Sequence, residues 1–277
     1  MKLLDFNDAD FIRTLFEEYP PIFSEFTFSN LMMWRKQRPT YIENIEGTCI
    51  FLVEVQNELM AFGPPLGPAP LHEILLKLPV KKIIRSSLPN EDIPQWQFTS
   101  SPDDADYVYR VSNLIEYPGH QYHRKRQLMR GCLNRYQCQY ESLTGNNIPE
   151  CLELQQRIID MMVPDDCQLK EHRAAEYLLQ EFSRFHSFGG VIRINGTVEG
   201  VMIASRLNAT TAVGHVEKTN PDIHGISSLL HHWFAAYELK QYKFFNIEQD
   251  LGILGLRDSK SRFIPDHMVV KFTGVKP

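Results

Sequence analysis

The sequence predicts a mixed α/β (α+β) fold made of two tandem domains, each a mainly antiparallel sheet flanked by helices. β-rich runs joined by tight turns alternate with amphipathic helical segments along the chain. The order of these elements in the first half is repeated, with sharper signals, in the second half. The pattern breaks at Tyr117-Pro118-Gly119, which places the domain boundary there and gives domains of residues 1–118 and 119–277.

The composition narrows the class of protein. The 277 residues are 43% hydrophobic and 23% charged, as in a globular protein large enough to bury two modest cores. A net charge of -5 argues against wholesale binding to nucleic acid or to an anionic membrane. The N-terminus is acidic where a signal peptide is apolar, and no stretch reaches the roughly 20 apolar residues of a membrane helix. We therefore expect a cytoplasmic protein with no integral membrane segment.

The residues that usually hold metals or cofactors show no matching pattern. The five cysteines form no CxxC pair, and their odd number favours reduced, structural thiols over a disulfide framework or a zinc site. His231 and His232 have no carboxylate or cysteine at a ligand spacing. No P-loop or dinucleotide-binding fingerprint occurs. We therefore expect no metal and no tightly bound cofactor.

The first domain begins with a helix, because its apolar residues recur at helical spacing behind Asp8, which can cap it. A three-stranded antiparallel meander follows. The GPPLGPAP segment, 63–70, then breaks the structure, and its prolines lack the N–H groups that a phosphate site needs. The predicted elements are the helix Asp8–Glu18, the strands Tyr41–Ile45, Cys49–Val55 and Leu59–Phe62, the helix Leu71–Leu78, the strand Lys82–Arg85, the short helix Pro89–Trp96 and the strand Tyr107–Val111.

The second domain repeats this order with an Asn195-Gly196 hairpin turn in its meander. Its predicted elements are the strand Gln137–Leu143, the helices Ile148–Met162 and Glu171–His186, the strands Gly190–Ile194, Val198–Leu207 and Thr211–Lys218, the helix Gly225–Lys240, and the strands Phe244–Ile247 and Met268–Phe272. Strand, two helices, meander, helix and two strands is the element order of the GNAT acyltransferase fold. The second domain therefore resembles a GNAT domain, and the first resembles a degenerate copy without an active site.

A glycine-punctuated loop joins the last two predicted strands. Gly252 and Gly255 allow it to bend tightly. Many opposite charges follow the first of these strands, and they are Glu248, Asp250, Arg257, Asp258, Lys260 and Arg262. The loop either holds these groups around a shared pocket or carries ordinary surface ion pairs.

A basic segment follows the domain boundary. Arg124, Lys125 and Arg126 lie within the run His120–Tyr136, which is predicted to be helical. Such a cluster can bind the phosphates of a donor. The alternative is a solvated helix that joins the two domains.

Two segments together carry a resemblance to a known family. YHRKRQ, 122–127, and NIEQDLGILGLRDSK, 246–260, resemble the family of the C-terminal, catalytic domain of phosphatidylglycerol lysyltransferase, and the similarity covers nearly the whole chain. The resemblance implies a tandem GNAT fold, related to the aminoacyltransferases that build peptidoglycan bridges. It further implies transfer of an aminoacyl group from charged tRNA to an amine or hydroxyl of a small-molecule, peptide or lipid acceptor.

Two carboxylates are candidates for catalysis. Glu217 follows the strand that ends beside the expected cleft, where many GNAT enzymes carry a base, but it could equally pair with Lys218. Asp250 could fix an acceptor amine or cap the following turn. Without a base the chain would be a non-catalytic ligand-binding module on a GNAT scaffold.

The segment Pro221–Ser228 stands where GNAT enzymes bind the pyrophosphate of coenzyme A at a helix N-terminus. His224, Gly225 and Ser227 are the expected binding residues, although Ser227 alone would be an ordinary N-cap. Asp222 occupies the usual Arg or Gln position and would repel a pyrophosphate. This favours an aminoacyl donor over acyl-CoA, and an acyl-CoA-dependent N-acetyltransferase is the alternative.

Lys260 and Arg257 are the expected ligands of a substrate carboxylate or phosphate. Both lie in the motif that carries the family resemblance. In the alternative, Lys260 pairs with Asp250 or Asp258 and serves only the scaffold.

Overall fold

The computed structural model describes residues 1–277, which form two seven-stranded mixed sheets flanked by helices. The strands are β1 (Lys2–Leu3), β2 (Thr40–Ile45), β3 (Thr48–Val55), β4 (Glu58–Leu66), β5 (Lys82–Ser86), β6 (Gln97–Ser100), β7 (Asp106–Arg110), β8 (Cys138–Ser142), β9 (Phe188–Ile194), β10 (Thr197–Arg206), β11 (Thr211–Thr219), β12 (Phe244–Asn246), β13 (His267–Val269) and β14 (Phe272–Val275). The helices are α1 (Ala9–Glu18), α2 (Phe28–Met33), α3 (Leu71–Lys77), α4 (Val111–Glu116), α5 (His123–Arg135), α6 (Ile148–Asp160), α7 (Asp166–Gln180), α8 (Ile226–Glu238) and α9 (Leu254–Ser261).

The two sheets repeat one arrangement. The first has the order β1-β2-β3-β4-β5-β14-β6 and the second the order β13-β7-β12-β11-β10-β9-β8. In each, an antiparallel meander of three strands is followed by a parallel neighbour, β5 beside β4 and β12 beside β11. The predicted pair of mainly antiparallel sheets is therefore confirmed.

Sheet membership does not follow the boundary predicted after residue 118. β7 precedes that boundary but pairs with β12 and β13 in the second sheet. β14 ends the chain but pairs with β5 and β6 in the first sheet. The chain thus crosses from the first sheet to the second between β6 and β7 and returns between β13 and β14.

A buried ion pair ties these two crossings together. Asp106 opens β7, and Lys271 directly precedes β14. The Lys271 Nζ atom lies 2.5 Å from Asp106 Oδ1 and 2.7 Å from Glu25 Oε2, and Lys271 is only 2% exposed. Burial raises the pKa of Asp106, although the charge of Lys271 opposes that shift. Ser24 also donates to Asp106, through its N–H at 2.9 Å and its hydroxyl at 2.8 Å.

The apolar core is continuous between the two halves of the chain. Its largest cluster includes Phe51 and Phe62 of the first sheet together with Val201 and Ile203 of the second. A second cluster lies between the second sheet and α4, α5 and α8, and a third lies under α3. The halves therefore pack against each other through apolar surface as well as through the buried ion pair.

Several predicted elements are corrected by the structure. Residues 89–96 form turns instead of a short helix, and β4 continues through Gly63 and two prolines to Leu66. The predicted strand Met268–Phe272 is two strands in different sheets. The second helix of the second domain begins at Asp166 and ends at Gln180, because Asp165 and Gln168 form a capping box that starts it earlier.

The predicted loop after β12 contains the helix α9. Gly252 has the positive φ expected of a turn, whereas Gly255 lies inside the helix. The helix α2 was not predicted. None of the helices combines the length and the apolar composition needed to cross a bilayer.

Candidate functional site

A cleft of about 590 Å³ opens at the N-terminus of α8. Its walls come from α5, from the 219–225 turn and from α9 with the residues that follow it. Five of the predicted binding residues lie in its lining, and they are Arg124, Lys125, His224, Gly225 and Ser227. The lining also includes Arg262, which was expected only as a loop charge, and Asp258, with which it pairs at 2.6 Å.

Gly225 allows α5 and α8 to pack closely together. It is the N-cap of α8 with φ +92°, and a Cβ atom there would lie 2.2 Å from the carbonyl oxygen of Leu128 on α5. Only glycine meets both conditions. The backbone N–H groups of Ser227 and Ser228 donate to no protein acceptor, so they face the cleft with the positive end of the helix dipole.

Glu217 lies below this helix start, within hydrogen-bonding distance of α8. Its carboxylate accepts from Ser227 Oγ at 2.8 Å and lies 3.0 Å from His231 Nε2. The Glu217 side chain is 35% exposed, and partial desolvation would raise its pKa, but His231, Ser227 and Lys125 together hold that pKa at about 2. Glu217 does not pair with Lys218, which instead binds Glu171. The group is thus a fixed negative charge and a weak base near neutral pH.

Lys125 is a lysine of the cleft lining whose pKa lies well below its ordinary value. Burial against the ring of Phe263 lowers its pKa to about 8, and the charge of Glu217 limits that shift. The ring of His231 packs against that of Phe263, and the two ring centroids lie 4.0 Å apart. His231 was not predicted as a site residue. Its spacing of four from Ser227 places both on one helix face, and this is the signal that could have found it.

Arg126 does not reach the cleft. Its guanidinium donates to the carbonyl oxygens of Tyr117 and Gly119, the latter at 2.7 Å. Tyr117 ends α4 in the left-handed conformation. Arg126 therefore binds the turn between α4 and α5, contrary to its predicted role in substrate binding.

Asp250 and Arg257 form an ion pair with each other outside the cleft. Arg257 donates from Nε and Nη2 to the two oxygens of Asp250, at 2.8 and 2.9 Å. Asp250 is fully buried and also accepts from the hydroxyl of Tyr107 and the N–H of Gly252. The Arg257 bonds, opposed by burial, hold the pKa of Asp250 at about 2. Both carboxylate oxygens of Asp250 are occupied, so neither is free to bind an acceptor amine, which was the predicted role. Arg257 is not in the cleft lining.

Lys260 binds backbone rather than a predicted carboxylate partner. Its Nζ atom donates to the carbonyl oxygens of Ile247 and Gln249, both at 2.6 Å, and it is not in the cleft lining. Burial lowers the pKa of this lysine, against the neighbouring carboxylates. These bonds hold α9 against the chain that leaves β12, so the geometry supports the scaffold alternative for Lys260.

Replacement of Lys260 by alanine is expected to lower the free energy of unfolding by about 1–3 kcal/mol, because two carbonyl groups lose their donor. Donor binding in the cleft should change by no more than about twofold. Denaturant unfolding and a binding titration on the same variant measure the two quantities. A variant of unchanged stability that no longer binds the donor would show that Lys260 binds substrate.

The structure shows no group of three or more His, Cys, Asp or Glu side chains arranged to hold a metal ion. The cleft at the start of α8 is suited to binding an anion, since the carboxylate in its lining, Asp258, is paired with Arg262. Backbone amides and cations on two walls can hold phosphate oxygens. Glu217 is not in the cleft lining, but it accepts from Ser227, which is, and its negative charge can attract an ammonium group.

Solved structures from three organisms share this fold. A conserved protein of unknown function from Bacteroides thetaiotaomicron is 25% identical, with a TM-score of 0.87, over 99% of this chain and 98% of that one. The C-terminal domain of a putative lysylphosphatidylglycerol synthetase from Agrobacterium fabrum is 12% identical, with a TM-score of 0.66, over 98% and 92%. L-PGS from Bacillus licheniformis is 12% identical, with a TM-score of 0.65, over 97% and 92%.

FemX also shares the fold, with a TM-score of 0.61 at 8% identity, and the predicted tandem GNAT-like fold is confirmed. No curated protein matches the sequence. The family model described as phosphatidylglycerol lysyltransferase, C-terminal, matches residues 16–273, and the chain therefore belongs to that family.

Proposed function

We propose that this chain transfers an aminoacyl group from charged tRNA to an amine or hydroxyl acceptor. Its family and fold are those of acyltransferases. The observation that carries the choice of donor is the cleft at the start of α8, where Arg124, Lys125 and two free backbone amides face the same space. A polyanion such as tRNA binds through such groups.

Glu217 is proposed to bind an amine rather than to take its proton. A carboxylate with a pKa of about 2 accepts a proton poorly near neutral pH, but it attracts an ammonium group strongly. The amine would be the α-amino group of the aminoacyl donor or the acceptor itself. The acceptor is a small molecule, a peptide or a lipid headgroup.

Acyl-CoA remains the second candidate donor because of the position of Asp222. The sequence suggested that this carboxylate would face the pyrophosphate. In the structure Asp222 is exposed and lies outside the cleft lining. The predicted repulsion is therefore weak, and the α8 N-terminus is open to the pyrophosphate of acyl-CoA.

The proposal is tested by offering the protein charged tRNAs and acyl-CoAs in parallel, each with amine, hydroxyl and phospholipid acceptors. Transfer from a charged tRNA, reduced about 10- to 100-fold in Glu217→Gln, is the expected result. Transfer from acyl-CoA alone would favour the acetyltransferase. Donor binding without transfer to any acceptor would identify a binding module.

Arg124→Glu is expected to weaken binding of a charged tRNA by about 3- to 10-fold at low salt, because it reverses a charge in the cleft wall. The loss should shrink as salt is raised. Arg130→Glu is the matched control, since Arg130 is an exposed arginine of the same helix outside the cleft lining. Equal losses in both variants would show a general charge effect on α5 instead of a site.

Donor affinity should fall as the pH rises through about 8, because Lys125 loses its charge in that range. Below that pH the lysine is protonated and contributes fully. Lys125→Arg keeps its charge at high pH and should remove this dependence. Binding titrations between about pH 6.5 and 9.5 measure it, and an unchanged pH profile in the arginine variant would assign the dependence to another group.

A further inference from the structure

A serine, a histidine and a glutamate outside the cleft form one hydrogen-bonded chain. The Oγ atom of Ser205 lies 2.7 Å from Nε2 of His215, and Nδ1 of His215 lies 3.1 Å from Oε1 of Glu248. The three residues come from β10, from β11 and from the residues directly after β12, which are neighbouring strands. The order hydroxyl, imidazole, carboxylate is that of an activated nucleophile.

A β-bulge places His215 between Ser205 and Glu248 in this series of hydrogen bonds. Val216 pairs with Ile203 and Gly214 pairs with Ala204, so His215 is the extra residue in β11. Bulges of this kind re-aim a side chain. The imidazole of His215 is completely buried, and its position is fixed at both nitrogens.

Glu248 fixes the tautomer of the imidazole. Its carboxylate accepts from Nδ1, which leaves Nε2 free to accept the proton of Ser205. Asn30 donates to the same carboxylate oxygen at 2.9 Å and holds it in place. Glu248 itself has φ +60°, an uncommon conformation for a residue with a side chain. Thr27 also approaches Nε2, but at the longer distance of 3.3 Å.

Ser205 opens onto an apolar groove of about 430 Å³. The groove lies between α1, α2 and the end of β10, and it shares no lining residue with the cleft at α8. Its apolar lining includes Ile12, Phe16, Phe28, Phe185 and Leu207, and the charged residues Arg13, Glu17 and Arg206 also line the groove. Such a lining accommodates a hydrocarbon chain.

We propose that Ser205 is a nucleophile that takes an acyl group from a carboxylic ester whose apolar acyl chain lies in this groove. Its Oγ atom bonds to the ester carbonyl carbon while its proton passes to Nε2 of His215. The bond between that carbon and the alcohol oxygen breaks, and the alcohol leaves with the proton from Nε2. Water then attacks the acyl-serine by the same route and releases the carboxylic acid. Glu248 is a positioning residue for His215.

An alkyl fluorophosphonate, which reacts with activated serines, tests this proposal on the full chain. The expected result is one adduct, mapped to Ser205 by peptide mass spectrometry. Ser205→Ala should lose it completely. The labelling rate should fall at least about 100-fold in His215→Asn and at least about 10-fold in Glu248→Gln.

Ser86→Ala is the matched control. Ser86 is a buried serine of β5 that lies outside the groove and has no histidine partner. Labelling should stay within about twofold in this variant. Hydrolysis of p-nitrophenyl octanoate should exceed that of the acetate and disappear in Ser205→Ala.

Mapping on the unmodified protein decides the proposal even where a variant fails to fold. No adduct, or an adduct only on another residue, overturns it. An adduct on Ser205 that forms equally fast in folded His215→Asn also overturns it, because the imidazole would then have no part in the reaction.

Discussion

Replacement of Lys271 by alanine is expected to lower the free energy of unfolding by about 3–5 kcal/mol, one of the two largest effects that we expect of a single substitution. The lysine is 2% exposed and donates to Glu25, Asp106, Ser24 and Gln249. Its removal leaves Asp106 without a cation and Glu25 with Arg85 alone, whose Nε atom lies 3.3 Å from Glu25 Oε1. Because the pair joins both crossings between the sheets, the loss should destabilise the two halves together, which denaturant unfolding measures as a lower midpoint.

Lys81→Ala is the control for this experiment. Lys81 is an exposed lysine beside β5 without an ion pair, and its replacement should change the free energy of unfolding by less than about 0.5 kcal/mol. Asp106→Asn in the Lys271→Ala background should recover part of the loss, since one uncompensated charge is removed. A Lys271→Ala protein within about 1 kcal/mol of the unmodified chain would contradict the proposed role of the pair.

The elements that sequence could predict are those set by local pattern. The Asn195-Gly196 turn forms as expected because both residues take positive φ. The apolar stripe of α8 predicts a helix because Leu229, Leu230 and Phe234 recur at helical spacing. These signals involve neighbours in the chain, and the second meander and α8 were therefore predicted closely.

The elements that sequence missed depend on distant partners. Asp106 and Lys271 are separated by 165 positions, and no local pattern indicates that they meet. The strand predicted over Met268–Phe272 was divided for the same reason, since its two halves pair with β7 and with β5 and β6. Gly255 indicated a turn, but α9 tolerates it at an exposed position.

The candidate site shows the same division. The residues before and at the start of α8 were predicted from a helix N-terminus, which is a local signal. Asp250 and Lys260 were predicted from their charge and from their place in the motif after β12, and neither signal reveals whether the partner of a charge is a substrate, an arginine or a carbonyl. The bulge at His215 has no sequence signature, so the Ser205 chain could not have been found before the strand register was known.

Gly225→Ala is the second substitution with a large expected effect, about 2–5 kcal/mol in the free energy of unfolding. Two costs add. The positive φ of +92° costs a side chain about 1–2 kcal/mol. A Cβ atom 2.2 Å from the carbonyl oxygen of Leu128 forces α5 away from α8, and such overpacking costs about 1–3 kcal/mol more.

Gly196→Ala separates these two costs. Gly196 has φ +90°, but no atom lies within 4 Å of the position where its Cβ would stand. It should therefore lose only about 1–2 kcal/mol and keep the affinity of the cleft for its donor. Gly225→Ala should lose more stability and bind the donor at least about tenfold more weakly, because Arg124 and Lys125 move with α5. Unfolding curves and donor titrations on both variants make the comparison. Equal losses of stability with equal affinities would show that the contact between α5 and α8 does not shape the cleft.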